Sequence, residues 1–321
     1  MSPSVLVTGA NGFVGRAVVD KLLACGFDVR AAVRQSGARF PADVSVFEVG
    51  SIDAATDWRS TVAGATAVVH CAAHVHQLRE TAANALSEFR KVNRHATEAL
   101  AKQARDAGVS RFVFLSSIKV NGETTAADRP FRADDTPRPS DPYGLSKWEA
   151  ERLLRRIESE SALKVVVIRP PLVYGPGVRA NFRNMMDAVR RGLPLPLGAI
   201  HNRRSIVALD NLVDLVALTL RHDAAPGETF LVSDGEDLST TDLLRRVGAA
   251  LGRPARLLPV PASLIRAAAR VAGRAALAQR LCDSLQVDIG PTRLRLGWQP
   301  PARVDDVLVR TAQHFLASLR E

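Results

Sequence analysis

At 321 residues, 46% hydrophobic and 24% charged, the chain has room for one large α/β core with a smaller lobe beside it, and is too apolar to stay disordered. Its formal charge of +10 raises nucleic-acid binding as a possibility, but the arginines run along the whole sequence without a basic block or interleaved aromatics. A generally basic surface, with a few arginines for an anionic small molecule and no nucleic-acid partner, accounts for the charge better. No uninterrupted run of 18 apolar residues and no signal-like start is present, so the expectation is a cytoplasmic chain without a transmembrane segment. Cys25, Cys71 and Cys282 are scattered without ligand spacing; they predict reduced, packed thiols and no metal site.

In chain order, Ser4–Thr8 predicts a first strand. Gly9-Ala-Asn-Gly12-Phe-Val-Gly15 follows and opens a predicted helix, Phe13–Ala24. Gly9 suits a tight turn, Gly12 lets backbone approach a pyrophosphate, and Gly15 permits close helix–sheet contact. The helix N-terminus then offers free N–H groups to that anion. A second strand, Asp28–Val33, ends in Ala31-Ala-Val33-Arg34-Gln-Ser36, with no carboxylate to hold a ribose 2′-hydroxyl. Arg34, with Ser36 or Arg39 nearby, suits a 2′-phosphate instead, which favours NADP(H); NAD(H) is the alternative. A third strand is predicted at Ser45–Val49. Asp53, just beyond it, either lies near the adenine or caps the helix that follows.

Further strands are predicted at Ala67–Cys71, Arg111–Ser116 and Lys164–Arg169, alternating with helices near Leu86–Ala107 and at Tyr143–Ser159. This alternation predicts a doubly wound parallel sheet of the Rossmann type over residues 1–169. In the last of those helices, Tyr143 and Lys147 stand one turn apart on one face, where an ammonium would favour the phenolate. After Arg169, Pro170-Pro171, Gly175-Pro176-Gly177 and Gly192-Leu-Pro-Leu-Pro-Leu-Gly198 break the chain into short elements. Residues 170–204 and 223–321 predict a smaller substrate-binding lobe, with 205–222 returning to the first domain. Ala262–Leu285 reads either as a membrane-surface helix or as a helix packed within that lobe, and the packed reading is favoured.

These motifs resemble the extended short-chain dehydrogenase/reductases of the nucleotide-sugar epimerase/dehydratase family, along essentially the whole chain. The GxxGxxG turn, His70-Cys-Ala-Ala73, Asn93 with Thr97, Phe114-Leu-Ser116-Ser117, the Tyr143–Lys147 pair and Arg169-Pro170 carry the likeness. The resemblance implies a cofactor held by Gly9, Asn11, Gly12, Phe13, Val14, Gly15, Arg34, Ser51 and Ile52. It adds Cys71, Ala72, Ala73, Asn93, Tyr143, Lys147 and Pro170. It implies Tyr143 as acid/base, Lys147 on the nicotinamide ribose and lowering the tyrosine pKa, and Ser117 on the reacting oxygen, with Ser116 as the fallback. For a nucleotide diphosphate-sugar substrate it implies Ser117, Lys119, Tyr143, Asn181, Arg203 and Arg204. It also implies a homodimer through the helices at 86–107 and 143–159.

Ile118 and Lys119 stand where dehydratases of the family carry an Asp-Glu pair, which disfavours dehydration. Arg34, and Asn121 where epimerases usually have tyrosine, tilt the expectation toward NADPH-dependent reduction of a UDP-4-keto-6-deoxy-hexosamine for bacterial surface polysaccharide (O-antigen). The alternative is a UDP-glucose or UDP-N-acetylglucosamine 4-epimerase with tightly bound NAD. A non-catalytic NADP-binding sensor and a dehydrogenase for a non-sugar alcohol are further alternatives. The intact Ser117–Tyr143–Lys147 set argues against the sensor, and Asn181 with Arg203 against the non-sugar alcohol.

Overall fold

The structure, a computed structural model, describes residues 2–35, 37–75, 82–126 and 128–320. The elements are β1 (Ser4–Thr8), α1 (Phe13–Ala24), β2 (Asp28–Val33), β3 (Ser45–Glu48), α2 (Arg59–Val62), β4 (Ala67–His70) and α3 (Ala82–Arg90). A π-helical turn, Lys91–Ala96, joins α3 to α4 (Thr97–Asp106). Then come β5 (Arg111–Leu115), a 3₁₀ turn at Ile118–Val120, α5 (Pro142–Ser159), β6 (Lys164–Arg169), β7 (Leu172–Tyr174), α6 (Ala180–Arg190), β8 (Arg204–Ala208) and α7 (Leu209–Arg221). The chain closes with β9 (Thr229–Leu231), β10 (Asp237–Leu238), α8 (Thr240–Ala250), α9 (Ala262–Val271), α10 (Ala275–Cys282), α11 (Gly290–Leu296) and α12 (Val304–Ala317).

Seven strands form one parallel sheet in the order β3-β2-β1-β4-β5-β6-β9. Both faces are covered, so its strands are apolar at nearly every position. Alternate residues enter opposite cores: Val5, Val7, Val113 and Ile168 pack on the side of α1 and α7. Leu6, Phe112, Phe114 and Val167 pack on the side of α4 and α5. The order reverses between β1 and β4, which opens a crevice at their carboxyl ends, the place where such sheets bind ligands. Thr8 and His70 are register partners at that edge.

The lobe has its own core around Tyr174, Phe182, Leu244 and Leu308, and a three-stranded sheet in the order β10-β8-β7. Helix α7 packs back on α1. Residues 229–231, which the sequence reading leaves in the lobe, add β9 to the edge of the large sheet. The single helix expected at 262–285 is two, α9 and α10, broken at Gly273 with its φ of +66°. No residue of α9 is fully buried, but Ala262 and Ile265 pack against the lobe core and Ala278 and Cys282 of α10 are buried, so the segment lies on the lobe by one face. Among the described residues no helix is long and apolar enough to cross a membrane.

Candidate active site

The glycine turn sits at the crevice. Gly9 has φ +63°, and a Cβ there would lie 2.9 Å from the backbone of Ala72, so any larger residue would collide with the loop after β4. A Cβ on Gly15 would lie 2.1 Å from the Gly9 carbonyl. Gly12 is the N-cap of α1 and supplies no side-chain cap, and the first turn carries no acid. Its backbone N–H groups and positive dipole end are therefore left for an anion, which fits a dinucleotide pyrophosphate. Asn11, Gly12 and Phe13 also line a cavity of about 380 Å³ shared with Arg16, Arg179 and His314.

Of the remaining cofactor candidates, Ile52 and Val14 pack into the two cores of the sheet, and Ser51 is exposed with its carbonyl accepting from Thr56. Arg34 is exposed at the end of β2, and Ser36 lies outside the described residues. Asp53 accepts from the Ala55 N–H at 2.8 Å in a turn well ahead of α2, so it caps a turn and not that helix. Cys71 lies against the site with its thiol pushed up to about 12 by burial. Ala72 is buried and Ala73 half-buried beside it. The Pro170 carbonyl accepts from the Ile118 N–H and fixes the start of the 3₁₀ turn.

His70, wholly buried between Phe112 and Phe114, bonds Thr8 Oγ1 at 2.6 Å through Nδ1 and Thr97 Oγ1 at 2.9 Å through Nε2. Burial and the nearby Lys147 hold its pKa down near 3, so the ring is neutral and ties β1, β4 and α4 together.

Asn93 lies in the π turn, a distortion that is common at functional sites. Its Oδ1 accepts from the His74 N–H at 2.8 Å, while Nδ2 donates to the His74 carbonyl at 3.1 Å and to Ser146 Oγ at 3.0 Å. Ser146 in turn donates to the Tyr143 carbonyl at 2.8 Å. One buried amide thus spans the loop after β4 and the first turn of α5.

That turn is set by sequence. Asp141 is the N-cap, accepting from the Gly144 N–H at 2.6 Å, and Pro142 follows at the first helical position. Lys119 donates to Asp141 and, at 2.8 Å, to Glu123. Its ammonium thus ties the 3₁₀ turn to the start of α5.

Tyr143 stands beside Phe89, ring centroids 5.8 Å apart, with Ser117 close to its hydroxyl. Burial first, then the Asp141 carboxylate, push its pKa up to about 12, against the lowering effect of Ser117. Lys147, one turn on, is 1% exposed, with Nζ 4.1 Å from the centroid of the Phe114 ring. Burial lowers Lys147 to about 7, opposed by Glu151 and Cys71. Ser117 Oγ also accepts from the Lys119 N–H at 3.2 Å, whereas Ser116 turns away and donates to buried Glu151. The other tyrosine, Tyr174, donates to Asp234 at 2.9 Å inside the lobe.

The remaining substrate candidates lie on or beside elements of the lobe. Asn181 is exposed in the first turn of α6, and Arg203 is exposed with Asp128 at 3.5 Å. Arg204 is largely covered, donates to the Asp283 carbonyl at 2.9 Å, and has its pKa lowered by burial. Beside Arg203 and Arg204 opens a second cavity, of about 510 Å³, lined by Thr125, His201, Asn202, Arg266, Asp283 and Ser284. Arg266 and Asp283, paired at 2.7 Å, escape sequence reasoning because 17 residues separate them.

A profile of the NAD dependent epimerase/dehydratase family matches residues 5–233. The chain is 45% identical over 318 residues to the UDP-glucose 4-epimerase of Vibrio cholerae, covering 98% of this chain and 96% of that one. The structure of MoeE5 in complex with UDP-glucuronic acid and NAD superposes with a TM-score of 0.77 at 26% identity, over 98% of this chain and 99% of that one. UDP-glucose 4-epimerase of Thermotoga maritima, solved with UDP-glucose, superposes with a TM-score of 0.77 at 22% identity, over 98% and 99%, and shares the fold.

Proposed function

Because the chain belongs to the NAD-dependent epimerase/dehydratase family, we propose that it inverts the C4 hydroxyl of a UDP-hexose or UDP-hexosamine, with NAD as its cofactor. The observation that carries epimerisation ahead of reduction is the likeness to the Vibrio cholerae enzyme along nearly the full length of both chains. In this reading Tyr143 exchanges the proton at the C4 oxygen, and Ser117, beside the phenol, holds that oxygen. Lys147, one turn along α5, would meet the ribose next to the nicotinamide. NAD, when bound, supplies the hydride acceptor and donor. The glycine turn, Ala72 and Asn93 would hold and orient it. Asn181, Arg203 and Arg204 would meet the diphosphate, a guanidinium fork being suited to phosphate oxygens.

Arg34 favours one second reading, NADPH-dependent reduction of a 4-keto sugar nucleotide, since it is an exposed cation where a carboxylate would serve NAD. Two assays separate them. The purified protein with UDP-glucose or UDP-N-acetylglucosamine and NAD is expected to interconvert C4 epimers with no net change in cofactor. Stoichiometric NADPH oxidation with UDP-4-keto-6-deoxy-GlcNAc, and no epimer formation, would replace epimerisation by reduction.

A further inference from the structure

Helix α9 presents apolar residues on two opposite faces. Ala262 and Ile265 pack inward against the lobe, as a surface helix requires. The outward face should then be polar, but it carries Leu264, 60% exposed, and Val271, 92% exposed, with exposed Ala267 and Ala268 between them. Helix α10 packs against α9 and repeats the pattern: Ala278 and Cys282 are buried while Leu277 is 51% exposed. Leu258, on the segment leading into α9, is 49% exposed. Single exposed leucines need no explanation, but a set on two adjoining helices does.

The charge around these helices is one-sided. From residue 243 to residue 282 the sequence holds Arg245, Arg246, Arg253, Arg256, Arg266, Arg270, Arg274 and Arg280, and no aspartate or glutamate. Arg245 and Arg246 are paired with acids outside this stretch, and Arg266 with Asp283. Among the described residues, Arg256, Arg270, Arg274 and Arg280 are exposed without an acidic partner.

We propose that α9 and α10 form a docking face for an anionic lipid bilayer, with Leu264, Val271 and Leu277 entering the interface and Arg270, Arg274 and Arg280 meeting headgroup phosphates. Apolar residues outermost with arginines at the flanks is the arrangement of a helix lying in a membrane surface. A second copy of the chain fits this face poorly, because a two-fold contact would set the acid-free arginine stretch against itself. Nucleic acid fits it poorly as well, since residues 243–282 contain no aromatic side chain to stack on a base. Ala262, Arg266 and Cys282 belong both to these helices and to the wall of the 510 Å³ cavity. Docking would therefore bring that cavity to the headgroup layer.

The test is flotation of the full-length protein with phosphatidylcholine vesicles, alone or mixed with phosphatidylglycerol; it involves no sugar, so it stands or falls apart from the epimerase reading. Binding is expected only to the mixed vesicles and should weaken as salt rises. The exposed pair Leu264→Asp with Val271→Asp should reduce it about tenfold or more. Arg270→Glu with Arg274→Glu should do the same. The charge-matched control Arg152→Glu with Arg156→Glu, on α5, should lose far less. Unchanged melting curves establish that the variants fold. The proposal is overturned by absence of binding to the mixed vesicles, or by equal loss in the α5 control, which would assign binding to overall charge. Self-association abolished by Leu264→Asp, or salt-sensitive DNA binding, without vesicle binding would also overturn it.

Discussion

Arg169 and Glu151 form a buried bidentate ion pair, Nε to Oε1 at 3.0 Å and Nη2 to Oε2 at 2.6 Å, with side chains 4% and 3% exposed. It joins the end of β6 to the middle of α5, the helix that carries Tyr143 and Lys147. Ser116 donates to the same carboxylate, and Arg169 also donates to Asn121 Oδ1 at 2.9 Å. Asn121 therefore has a structural task where tyrosine is usual in the epimerases. Removing one partner leaves a buried charge uncompensated, so Glu151→Ala is expected to lose roughly 3–5 kcal/mol of stability. Glu151→Leu with Arg169→Met should recover most of it. Urea unfolding curves measure both, and a loss of under about 1 kcal/mol for Glu151→Ala would show that the pair is not holding the helix.

Tyr143→Phe is expected to lower kcat about 10³-fold while KM for the nucleotide-sugar stays within about threefold. Ser117→Ala should cost about 10²-fold, again mostly in kcat. Retained turnover in Tyr143→Phe would remove the phenol from proton transfer.

His70 carries a pH dependence of fixed sign. Its pKa, near 3 when folded, is well below the 6.5 of a free imidazole. The unfolded chain therefore binds more protons between those values. The stability His70 contributes is complete above pH 6.5 and is lost as pH falls toward 3. Denaturant midpoints between pH 7 and pH 4 should fall less steeply in His70→Asn than in the parent; parallel slopes would contradict a neutral buried ring.

Lys147 acts in a different window. Folding lowers it from 10.5 to about 7, so between those values the unfolded chain holds the extra proton and stability rises with pH. In Lys147→Met that rise should flatten, and at pH 6 the variant should melt about 2 °C or more above the parent, because no ammonium is buried. A variant that melts lower at pH 6 would show that Glu151 and the Phe114 ring outweigh the cost of burial.

For Arg34→Ala, the NAD reading predicts NAD(H) dissociation constants within about twofold of the parent, since neutral ribose hydroxyls offer the guanidinium little. A tenfold loss of NADPH affinity with NADH unchanged would instead strengthen the reductive reading. Fluorescence titration with each reduced cofactor measures both.

What the sequence makes legible here is short-range. β1, α1, β2 and β6 fall where alternation and the glycine turn place them, because apolar runs with a turn signal admit few other structures. Tyr143 and Lys147 are visible as a pair because they share a helix. Partners distant in the chain are not: the Arg169–Glu151 pair, and the bond between Lys119 and Asp141, depend on how β6, α5 and the 3₁₀ turn meet. The depth of Lys147 is hidden for the same reason, since spacing gives the face but not what covers it. β9, only three residues long, is too short for a periodicity to register. The 262–285 segment has apolar residues all round at helical spacing, and that pattern alone does not say which side meets the protein.

The π turn at 91–96 gives this protein an uneven tolerance for changes in length. An α-helix advances about 100° per residue, so deleting one residue there to restore regular geometry would swing everything after it through that angle. Thr97 would leave His70, and Leu100 and Ala104 would leave the sheet they now cover. Substitution within the turn is a local matter, but insertion or deletion is a rotation of the helix behind it. Any engineered relative of this chain must therefore keep the residue count from Asn93 to Ala104 fixed, whatever else is redrawn.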